Sequence, residues 1–256
     1  MKYKGLISIF ISFIFLLVIV FTVFSVFTVK EVNVEYEVYA SGKIDADIID
    51  EKLSKYNGKN LLFLSIDDIV NEFSDYTYFE VVSAKKDFPN AITVTVKERL
   101  ARYLLTTKDG SYVISSDGFV LEKVTSTLDK QLLNLSISEK EGNRLSFDNI
   151  EVGKKLTVDD VSALDALYDV IETEEISGFV TDVEIFSAFD KSLLTMYTAT
   201  EVTIDVIDYK TDSKNKAIEL AKSYADIDDY LKANSYLKVY TLQETGAIKV
   251  VWTRNT

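Results

Sequence analysis

A long run of uncharged residues near the N-terminus constrains this chain more than any other feature. Residues 6–29, LISIFISFIFLLVIVFTVFSVFTV, contain no charged residue, no glycine and no proline. As a helix rising about 1.5 Å per residue, the run would extend about 36 Å, which exceeds the roughly 30 Å hydrocarbon core of a bilayer. The run therefore predicts a single transmembrane helix over residues 6–29.

A cleaved signal peptide is the competing interpretation of this run. The apolar region of a signal peptide covers only about 7–15 residues and ends at small residues. Here the run is longer, and the nearest small-residue site, Val38–Tyr39–Ala40, lies beyond three glutamates. We therefore expect a retained anchor. Because Lys2 and Lys4 precede the run and positive flanks stay cytoplasmic, we expect residues 1–5 to form a cytoplasmic tail and residues 30–256 to lie outside the membrane.

The composition of the chain excludes several classes of functional site. The chain contains no cysteine and no histidine. It therefore has no disulfides, no thiol nucleophile and no Cys/His zinc site, and it lacks the most common general base. The part after residue 29 carries 26 basic and 41 acidic residues, a formal charge of −15, and 24 of the 28 basic residues in the chain are lysine. An acidic surface with so little arginine does not favour binding to nucleic acid.

Residues 30–105 have the pattern of a small α+β domain. Valine alternates with polar residues in VKEVNVEYEV, which predicts a strand, and one amphipathic helix precedes the LLFL segment while a second follows it. Two alternating segments, YFEVVSAKKDF and NAITVTVKERL, then predict a hairpin. Pro89, the only proline of the chain, lies between them. Because proline has no N–H to donate, it is tolerated where the strand ladder ends and the chain turns.

Residues 106–256 predict a second domain that is rich in strands. Two short strands are expected around the Asp117–Gly118 turn, and the segment QLLNLSIS predicts another. One helix is expected over TVDDVSALDALYDVIETEE and another over residues 214–224. Further strands are expected at residues 180–186, 193–197, 201–207, 235–240 and 247–253. The predicted fold class is α+β: a transmembrane helix, a β-α-α-β-β domain and a second, mostly antiparallel β-rich domain.

No motif in the chain indicates a catalytic, cofactor or metal site. The candidate acid–base groups are adjacent carboxylates, and adjacent side chains on a helix point about 100° apart, so such pairs suit solvated helix ends better than two facing catalytic groups. The segment IDVIDYKTDSKN lacks the glycine and the spacing of a calcium loop, and no phosphate-binding glycine loop is present. The adjacent carboxylates considered as acid–base candidates are the pairs Asp67–Asp68, Asp159–Asp160, Glu174–Glu175 and Asp228–Asp229.

Aromatic residues are plentiful, and their spacing favours packing over ligand stacking. Five of them fall at positions that the strand and helix patterns assign to a core: Tyr36, Phe63, Phe73, Phe79 and Phe119. A membrane-anchored exterior without a nucleophile, a metal set or a cofactor loop indicates a binding or scaffolding module more than an enzyme. We therefore expect no enzymatic activity, no cofactor and no small-molecule substrate.

The ordered set of motifs resembles the bacterial FtsQ/DivIB family, in which a POTRA domain follows a single membrane helix. The similar stretches are VKEVNVEYEVYASGKI, GKNLLFLSIDDI, YFEVVSAKKDFPNAITVTVKERLARYLL and YVISSDGFVLEKV, and EVGKKL resembles the stretch before the helix of the family's β-domain. The chain departs from the family at Asn134, where a proline is usual, and it lacks a glycine before the last helix. The matching residues are Gly58, Asn60, Leu61, Phe79, Pro89, Val96, Glu98, Arg99, Asp117 and Gly118.

The resemblance implies a domain order and a function. It implies a POTRA domain at residues 30–105 and a β-domain at residues 106–256. It also implies a non-catalytic scaffold that binds two other single-pass division proteins, of the FtsL and FtsB/DivIC type, outside the membrane and supports septal wall synthesis. Such a protein would lie at the division septum.

The resemblance further implies that the partner contact lies on the late strands of the β-domain. A terminal strand leaves one row of N–H and C=O groups unpaired, and an extended partner segment can add to it. We expect this contact at residues 235–240 and 247–253, with Tyr236, Tyr240 and Trp252 as aromatic anchors. The alternative is that Leu237, Val239, Ile248 and Val250 face the core while Tyr236 and Tyr240 are ordinary residues of the outer face. The expected partner-binding residues are Tyr236, Leu237, Lys238, Val239, Tyr240, Lys249, Val251 and Trp252.

Two other functions remain open on the sequence alone. The first is a membrane-anchored POTRA-type component that binds polypeptides in a transport or envelope-assembly system. Such proteins usually carry tandem POTRA units before a long barrel, and neither pattern is found in this sequence. The second is an exported wall-active enzyme that uses carboxylates, which would lose activity on mutation of one aspartate or glutamate.

Overall fold

The computed structural model describes residues 3–37, 46–124, 132–147, 149–171 and 178–254, with side chains described for all of these except residues 3–7 and 158–160. The chain divides into two units, Met1–Arg99 and Leu100–Thr256. Each unit has its own apolar core.

The first unit begins with an apolar helix, α1, at Tyr3–Val26. Its segment Ser8–Val26 has a mean hydropathy of 3.0 and is not buried, so it is long and apolar enough to cross a membrane. The helix ends three residues before the expected end at residue 29. The reason is that Val29 belongs to the following domain: its side chain is 1 % exposed, and its N–H donates to the carbonyl of Lys59 at 2.9 Å.

The rest of the first unit is a β-α-α-β-β domain, as the sequence predicts. Its strands are β1 (Glu31–Tyr36), β2 (Phe79–Asp87) and β3 (Ala91–Glu98), and its helices are α2 (Ala46–Ser54) and α3 (Ile66–Asn71). The sheet order is β1-β3-β2, with β1 parallel and β2 antiparallel to the central β3. Pro89 lies in the β2–β3 turn after a cis Phe88–Pro89 bond, so the predicted position of the turn is confirmed.

The core of this domain forms between one face of the sheet and the two helices. Ile92, Val94 and Val96 alternate along β3 and are fully buried. They pack in one cluster with Ile49 of α2 and Ile69 of α3, which are also fully buried. Because apolar side chains at period two meet apolar stripes at helical spacing, the sheet and the helices close over one core without any covalent crosslink.

The expected core positions of the aromatic residues are only partly correct. Phe73 and Phe79 are buried in the core of the first unit. Phe63, in contrast, is 76 % exposed, and Tyr36 is 37 % exposed, so both expectations are wrong. Phe63 follows α2 in the loop that contacts the end of α1, where its ring lies beside Phe24 and outside the core.

The second unit contains a nine-stranded sheet, with α4 and α5 packed together and against its strands. The strand order is β12-β11-β10-β9-β8-β7-β4-β5-β6. The elements are β4 (Ala101–Thr107), β5 (Gly110–Ser115), β6 (Val120–Val124), β7 (Leu133–Ile137), α4 (Val158–Ile171), β8 (Val180–Ser187), β9 (Ser192–Thr198), β10 (Thr203–Ile207), α5 (Ser213–Ala225), α6 (Asp229–Lys232), β11 (Ser235–Thr241) and β12 (Ile248–Arg254).

The start of the second unit differs from the sequence-based expectation. The expected boundary between residues 105 and 106 falls inside β4, which pairs with β5 and β7 and so belongs to the second sheet. The sequence ARYLLTT does not show the alternating pattern of a strand, because its apolar residues are consecutive and a bulge separates Ala101 from Tyr103. The sheet is mixed: most neighbouring strands are antiparallel, as expected, but β11 runs parallel to β10, and β7 runs parallel to both β4 and β8.

The core of the second unit lies on the face of the sheet that carries the helices. Leu164 and Leu167 of α4 and Leu220 of α5 are fully buried there together with Met196 and Ile204 of the central strands. Strands β10 and β11 run parallel because α5 and α6 carry the chain back between them. This crossover puts β11 beside β10 and leaves β12 as the last strand at one edge.

Candidate protein-binding edge

Strand β12 is the last strand at one of the two edges of the second sheet, opposite the edge formed by β6. It pairs with β11 from Ile248 opposite Thr241 to Arg254 opposite Ser235, and within the described residues no strand pairs with its other side. Strand β11, in contrast, is hydrogen-bonded on both sides, to β10 and to β12. The expectation of a binding edge on residues 235–240 is therefore corrected: β11 has a neighbouring strand on each side, and of the two strands of this hairpin β12 is the one that can accept an added strand.

The register of the hairpin identifies the main-chain groups that face outward. The N–H of Leu242 donates to the carbonyl of Ala247 at 2.8 Å, so these two residues form a hydrogen-bonded pair at the base of the β11–β12 hairpin. Such pairs alternate along an antiparallel ladder. The N–H and C=O groups of Lys249, Val251 and Thr253 therefore point toward β11. Those of Ile248, Val250 and Trp252 point away from the sheet, into the free edge.

The eight predicted partner-binding residues lie on two opposite faces of the sheet. Leu237 and Val239 are fully buried in the core, so their side chains face inward, as in the alternative left open by the sequence. Trp252 stands opposite Leu237 and shares its face, with 41 % of its surface exposed. The other five lie together on the outer face, since they alternate with these residues along β11 and β12: Tyr236, Lys238, Tyr240, Lys249 and Val251.

The outer face beside the edge is concave. Lys238, Tyr240 and Val251 line a pocket of about 750 Å³ together with the residues of the β11–β12 turn. Lys238 and Lys249 are exposed, and the Lys238 ammonium lies 5.9 Å from the centre of the Tyr240 ring. With the exposed Arg254 at the end of β12, these residues put three positive side chains beside the edge, while Asp208 and Glu244 line the same pocket.

Tyr236 is held in place by a hydrogen bond and is only half-exposed. Its hydroxyl donates to Oδ2 of Asp205 on β10 at 2.7 Å. Burial raises the pKa of the Tyr236 hydroxyl, and the hydrogen bond to Asp205 and the charge of that carboxylate raise it further. The hydroxyl therefore stays protonated well above neutral pH and acts as a fixed donor. Of the three expected aromatic anchors, Tyr236 is the one whose polar group is already used within the chain.

Strand patterns in the sequence alone do not identify the outward-pointing main-chain groups of the edge, nor the place of β12 in the strand order. The outward-pointing main-chain groups of Ile248 and Val250 belong to residues whose side chains pack against the core, so a search for exposed side chains misses them. Their identity depends on the strand order, which is set by a parallel pairing between residues far apart in sequence. The alternation in IKVVWT predicts which side of the sheet each side chain faces, but it does not predict where the strand lies in the sheet.

The other candidate groups form no catalytic arrangement among the described residues. No group of three or more aspartate or glutamate residues there could hold a metal ion. Asp67 and Asp68 lie in the first turn of α3, and Asp229 pairs with Lys232 at 2.8 Å, as expected of solvated helix ends. The side chains of Asp159–Asp160 and the whole of Glu174–Glu175 lie outside the described residues.

A buried lysine in the second unit has a structural role. Lys216 of α5 is 1 % exposed, and its ammonium donates to the carbonyls of Ile207 and Asp208 at 2.9 and 2.8 Å. Burial lowers its pKa, against the opposing effect of Asp208 and Asp212. The ammonium thus ties the start of α5 to the end of β10, and it does not present a free amine for chemistry.

Comparison with known proteins agrees with this architecture. Residues 27–99 match the family described as "POTRA domain, FtsQ-type". The chain is similar to "Cell division protein DivIB" of Clostridium botulinum strain Hall, with 25 % identity over 225 residues that cover 86 % of this chain and 84 % of the relative. It is also similar to DivIB of C. botulinum strain Loch Maree, with 27 % identity over 66 % of this chain and 62 % of the relative.

A shorter match extends the same pattern to another species. DivIB of Clostridium tetani strain Massachusetts is 28 % identical over 88 residues, which cover 34 % of this chain and 33 % of the relative. The family match begins at Phe27, where α1 has just ended and the chain enters the first folded domain. The match to the FtsQ-type POTRA domain behind one apolar helix and the similarity to DivIB proteins support a relationship to the FtsQ/DivIB family and a role in cell division.

Proposed function

We propose that the chain is a single-pass membrane scaffold of the division machinery, and that its β12 edge binds an extended segment of an FtsL- or FtsB/DivIC-like protein outside the membrane. In this role it supports septal wall synthesis without catalysing a reaction. The observation that carries the proposal is the free edge of β12, because it offers outward-pointing N–H and C=O groups next to a concave face.

The way in which α1 joins the first domain favours a retained anchor over a cleaved leader. The candidate cleavage site Val38–Tyr39–Ala40 itself lies outside the described residues. A cut after Ala40 would, however, remove Val29 from the core and the whole of β1, which pairs with β3 along six residues. Because the domain would lose one of three strands, the folded protein needs the residues that directly follow α1.

The charge beside the edge indicates the kind of segment that would bind. Lys238 and Lys249 lie diagonally across the hairpin, opposite Val251 and Tyr240 respectively, and both point to the outer face. The pocket lined by Tyr240 and Val251 offers apolar surface next to these charges. An added strand that alternates acidic and apolar side chains would match both features, because charge complementarity favours encounter and buried apolar anchors supply affinity.

The test of this proposal separates the main chain of β12 from its side chains. The full chain in nanodiscs is titrated with the exterior segments of FtsL- and DivIC-like proteins encoded with it, and Kd is measured for Trp252→Pro and Trp252→Ala. Both variants lack the indole, but only the proline also lacks the outward N–H. We expect the proline variant to bind about tenfold more weakly than the alanine variant, since it loses a main-chain hydrogen bond and puts a ring in the path of the added strand.

Folding controls keep this comparison interpretable. The N–H of residue 252 has no strand partner among the described residues, so the two variants should unfold at the same temperature. Val251→Pro is the opposite control, because its N–H points toward β11 and its loss should lower stability. Equal affinities for Trp252→Pro and Trp252→Ala would rule out strand addition at this edge, and a fluorescent fusion that spreads evenly over the envelope at division would count against the division role.

A further inference from the structure

Three apolar side chains of the first unit are exposed next to the end of α1. Phe63 and Leu62, in the loop between α2 and α3, are 76 % and 42 % exposed. Phe88, at the tip of the β2–β3 hairpin, is 60 % exposed. Solvent-exposed phenylalanine is costly in water, and a cluster of such residues marks a surface that another phase or molecule covers. We call these three residues the apolar collar.

The apolar collar is attached directly to the last turn of α1. The ring centres of Phe24 and Phe63 are 5.8 Å apart. Those of Phe27 and Phe88 are 5.9 Å apart. Phe24 lies within the apolar span Ser8–Val26, so the ring beside it lies at the depth of the end of that span.

Main-chain hydrogen bonds hold this arrangement without a flexible linker. The N–H of Leu61 donates to the carbonyl of Phe27 at 2.7 Å. The side-chain amide of Asn60 donates to the carbonyl of Phe24 at 3.4 Å, so it satisfies an acceptor of the last helical turn. The helix and the loop that carries Phe63 are therefore connected through two independent contacts.

The dimensions of α1 place the collar at the membrane surface. The 19 residues of the span extend about 28 Å as a helix, close to the roughly 30 Å of a hydrocarbon core. Phe24 would then lie near the boundary between acyl chains and headgroups, and Phe63 and Phe88 would lie beside it. Apolar side chains of surface-bound segments enter this boundary region to a depth of about 5–10 Å.

Lysines lie close in sequence to the collar or to the residues that contact it, together with the acidic residues Glu31 and Asp87. Lys30, Lys59 and Lys86 each lie within three residues of one of these contacts, and Lys30 and Lys59 are exposed. The nearby carboxylate of Asp87 accepts a hydrogen bond from Thr93. Lysines at this level favour anionic headgroups, which adds a second attraction of the kind that stabilises membrane-surface contacts.

We propose that the apolar collar inserts into the headgroup region of the bilayer that α1 spans, so that the POTRA domain is seated on the lipid surface in a fixed orientation. The occupant of this surface is lipid, because the collar continues the surface of the membrane helix itself. The inference rests on the proposed membrane insertion of α1, and it adds a second, peripheral contact to that anchor.

The test uses the absence of cysteine from the chain. Single cysteines are introduced at Phe63→Cys and Phe88→Cys in the full chain, labelled with nitrobenzoxadiazole and placed in nanodiscs that contain doxyl-labelled phosphatidylcholine and phosphatidylglycerol. Lys97→Cys is the matched control on the same domain, because it is exposed and lies about 20 Å further along β3 from the hairpin tip. Phe15→Cys, inside the span, reports whether α1 is in the bilayer.

The expected result is strong quenching at positions 15, 63 and 88 and about threefold less at position 97, since quenching requires contact with lipid. Quenching at 15 but no more at 63 and 88 than at 97 would overturn the inference and leave the membrane anchor intact. No quenching at 15 would overturn both the anchor and the inference. Labels at 63 and 88 that are shielded from water but not quenched would show a protein partner in place of lipid, and would also overturn it.

Discussion

The hydroxyl of Tyr236 donates a hydrogen bond to Oδ2 of Asp205 across the parallel pair of β10 and β11, at 2.7 Å. Oδ1 of the same carboxylate accepts a hydrogen bond from Thr195 of β9, also at 2.7 Å. Asp205 thus joins β9, β10 and β11 on the outer face. Of these strands, β11 lies directly beside β12, the proposed binding edge. The position of β11, and with it the support of β12, depends in part on this carboxylate.

Removing the hydroxyl of Tyr236 from this network should lower the stability of the fold, whereas removing the buried hydroxyl of Tyr209 should not. We expect Tyr236→Phe to lower the free energy of unfolding by about 1–2 kcal/mol, because it deletes a bond to a charged acceptor. The hydroxyl of Tyr209 is buried and has no hydrogen-bond partner among the described residues, so Tyr209→Phe should leave stability unchanged or raise it by about 1 kcal/mol. Urea unfolding followed by the fluorescence of Trp252 measures both, and equal losses would contradict this account.

Acid should weaken the second unit partly through Asp117. Burial acts to raise the pKa of this carboxyl, but hydrogen bonds from Lys155, at 2.8 Å, and Ser115 outweigh it, so that its pKa lies below the ordinary value of 3.8. A lowered folded-state pKa gives stability that is complete above pH 3.8 and is lost as the pH falls through the folded-state value. Asp117→Asn should therefore flatten the pH dependence of the unfolding free energy below about pH 4.

The pairing with Lys155 provides the control for this pH effect. In Lys155→Met the carboxylate keeps its partial burial but loses the ammonium, so the pKa of Asp117 should rise toward or above its ordinary value. A carbon-detected NMR titration of the Asp117 carboxyl measures this shift. An unchanged titration curve in the methionine variant would show that Lys155 does not hold the carboxylate.

Gly118 should tolerate alanine less well than Gly246, although both have a positive φ, +76° and +69°. A Cβ at position 118 would lie 2.9 Å from Cγ2 of Val161 on α4, whereas one at position 246 would meet nothing within 4 Å. The left-handed backbone costs about 1–2 kcal/mol in either variant. We expect Gly118→Ala to cost about 1–3 kcal/mol more, because α4 must move away from the turn.

A second substitution tests the cause of this difference. In the double variant Gly118→Ala/Val161→Ala the clashing methyl is absent, so the excess cost of the first substitution should shrink, apart from the cavity left by valine. Urea midpoints of the four proteins complete the cycle. Purely additive effects would mean that the contact with Val161 does not decide the preference for glycine.

Local sequence patterns predicted the helices and strands of this fold well, but they did not predict which strands lie next to each other in the sheets. The alternation in AITVTVKE and the turn at Pro89 were enough to locate the β2–β3 hairpin, because both signals act within a few residues. The alternation in SYLKVY offered the placement of Leu237 in the core only as an alternative to its role in partner binding. It could not show that β11 has partners on both sides, because the parallel pairing with β10 closes over a crossover through α5 and α6.

The errors have the same physical origin. Phe63 looked like a core residue because it sits in an apolar run, but its neighbour is the end of α1, a contact across about forty residues that no local period encodes. Trp252 was grouped with Tyr236 and Tyr240 because all three are aromatic, yet its register opposite Leu237 puts it on the other face. The sequence could predict that a strand edge would be the binding site, but identifying the residues of that edge required the strand order.

The parallel pairing of β1 with β3 determines how the first unit carries mechanical load. The ladder runs from Glu31 opposite Ala91 to Tyr36 opposite Val96. The apolar helix enters at the first end of this ladder, and the chain leaves β3 for the second unit at the other. If a partner bound to the second unit pulled against an anchor formed by α1, the force would act along the strands and strain their hydrogen bonds in shear at once, rather than peeling them apart one by one.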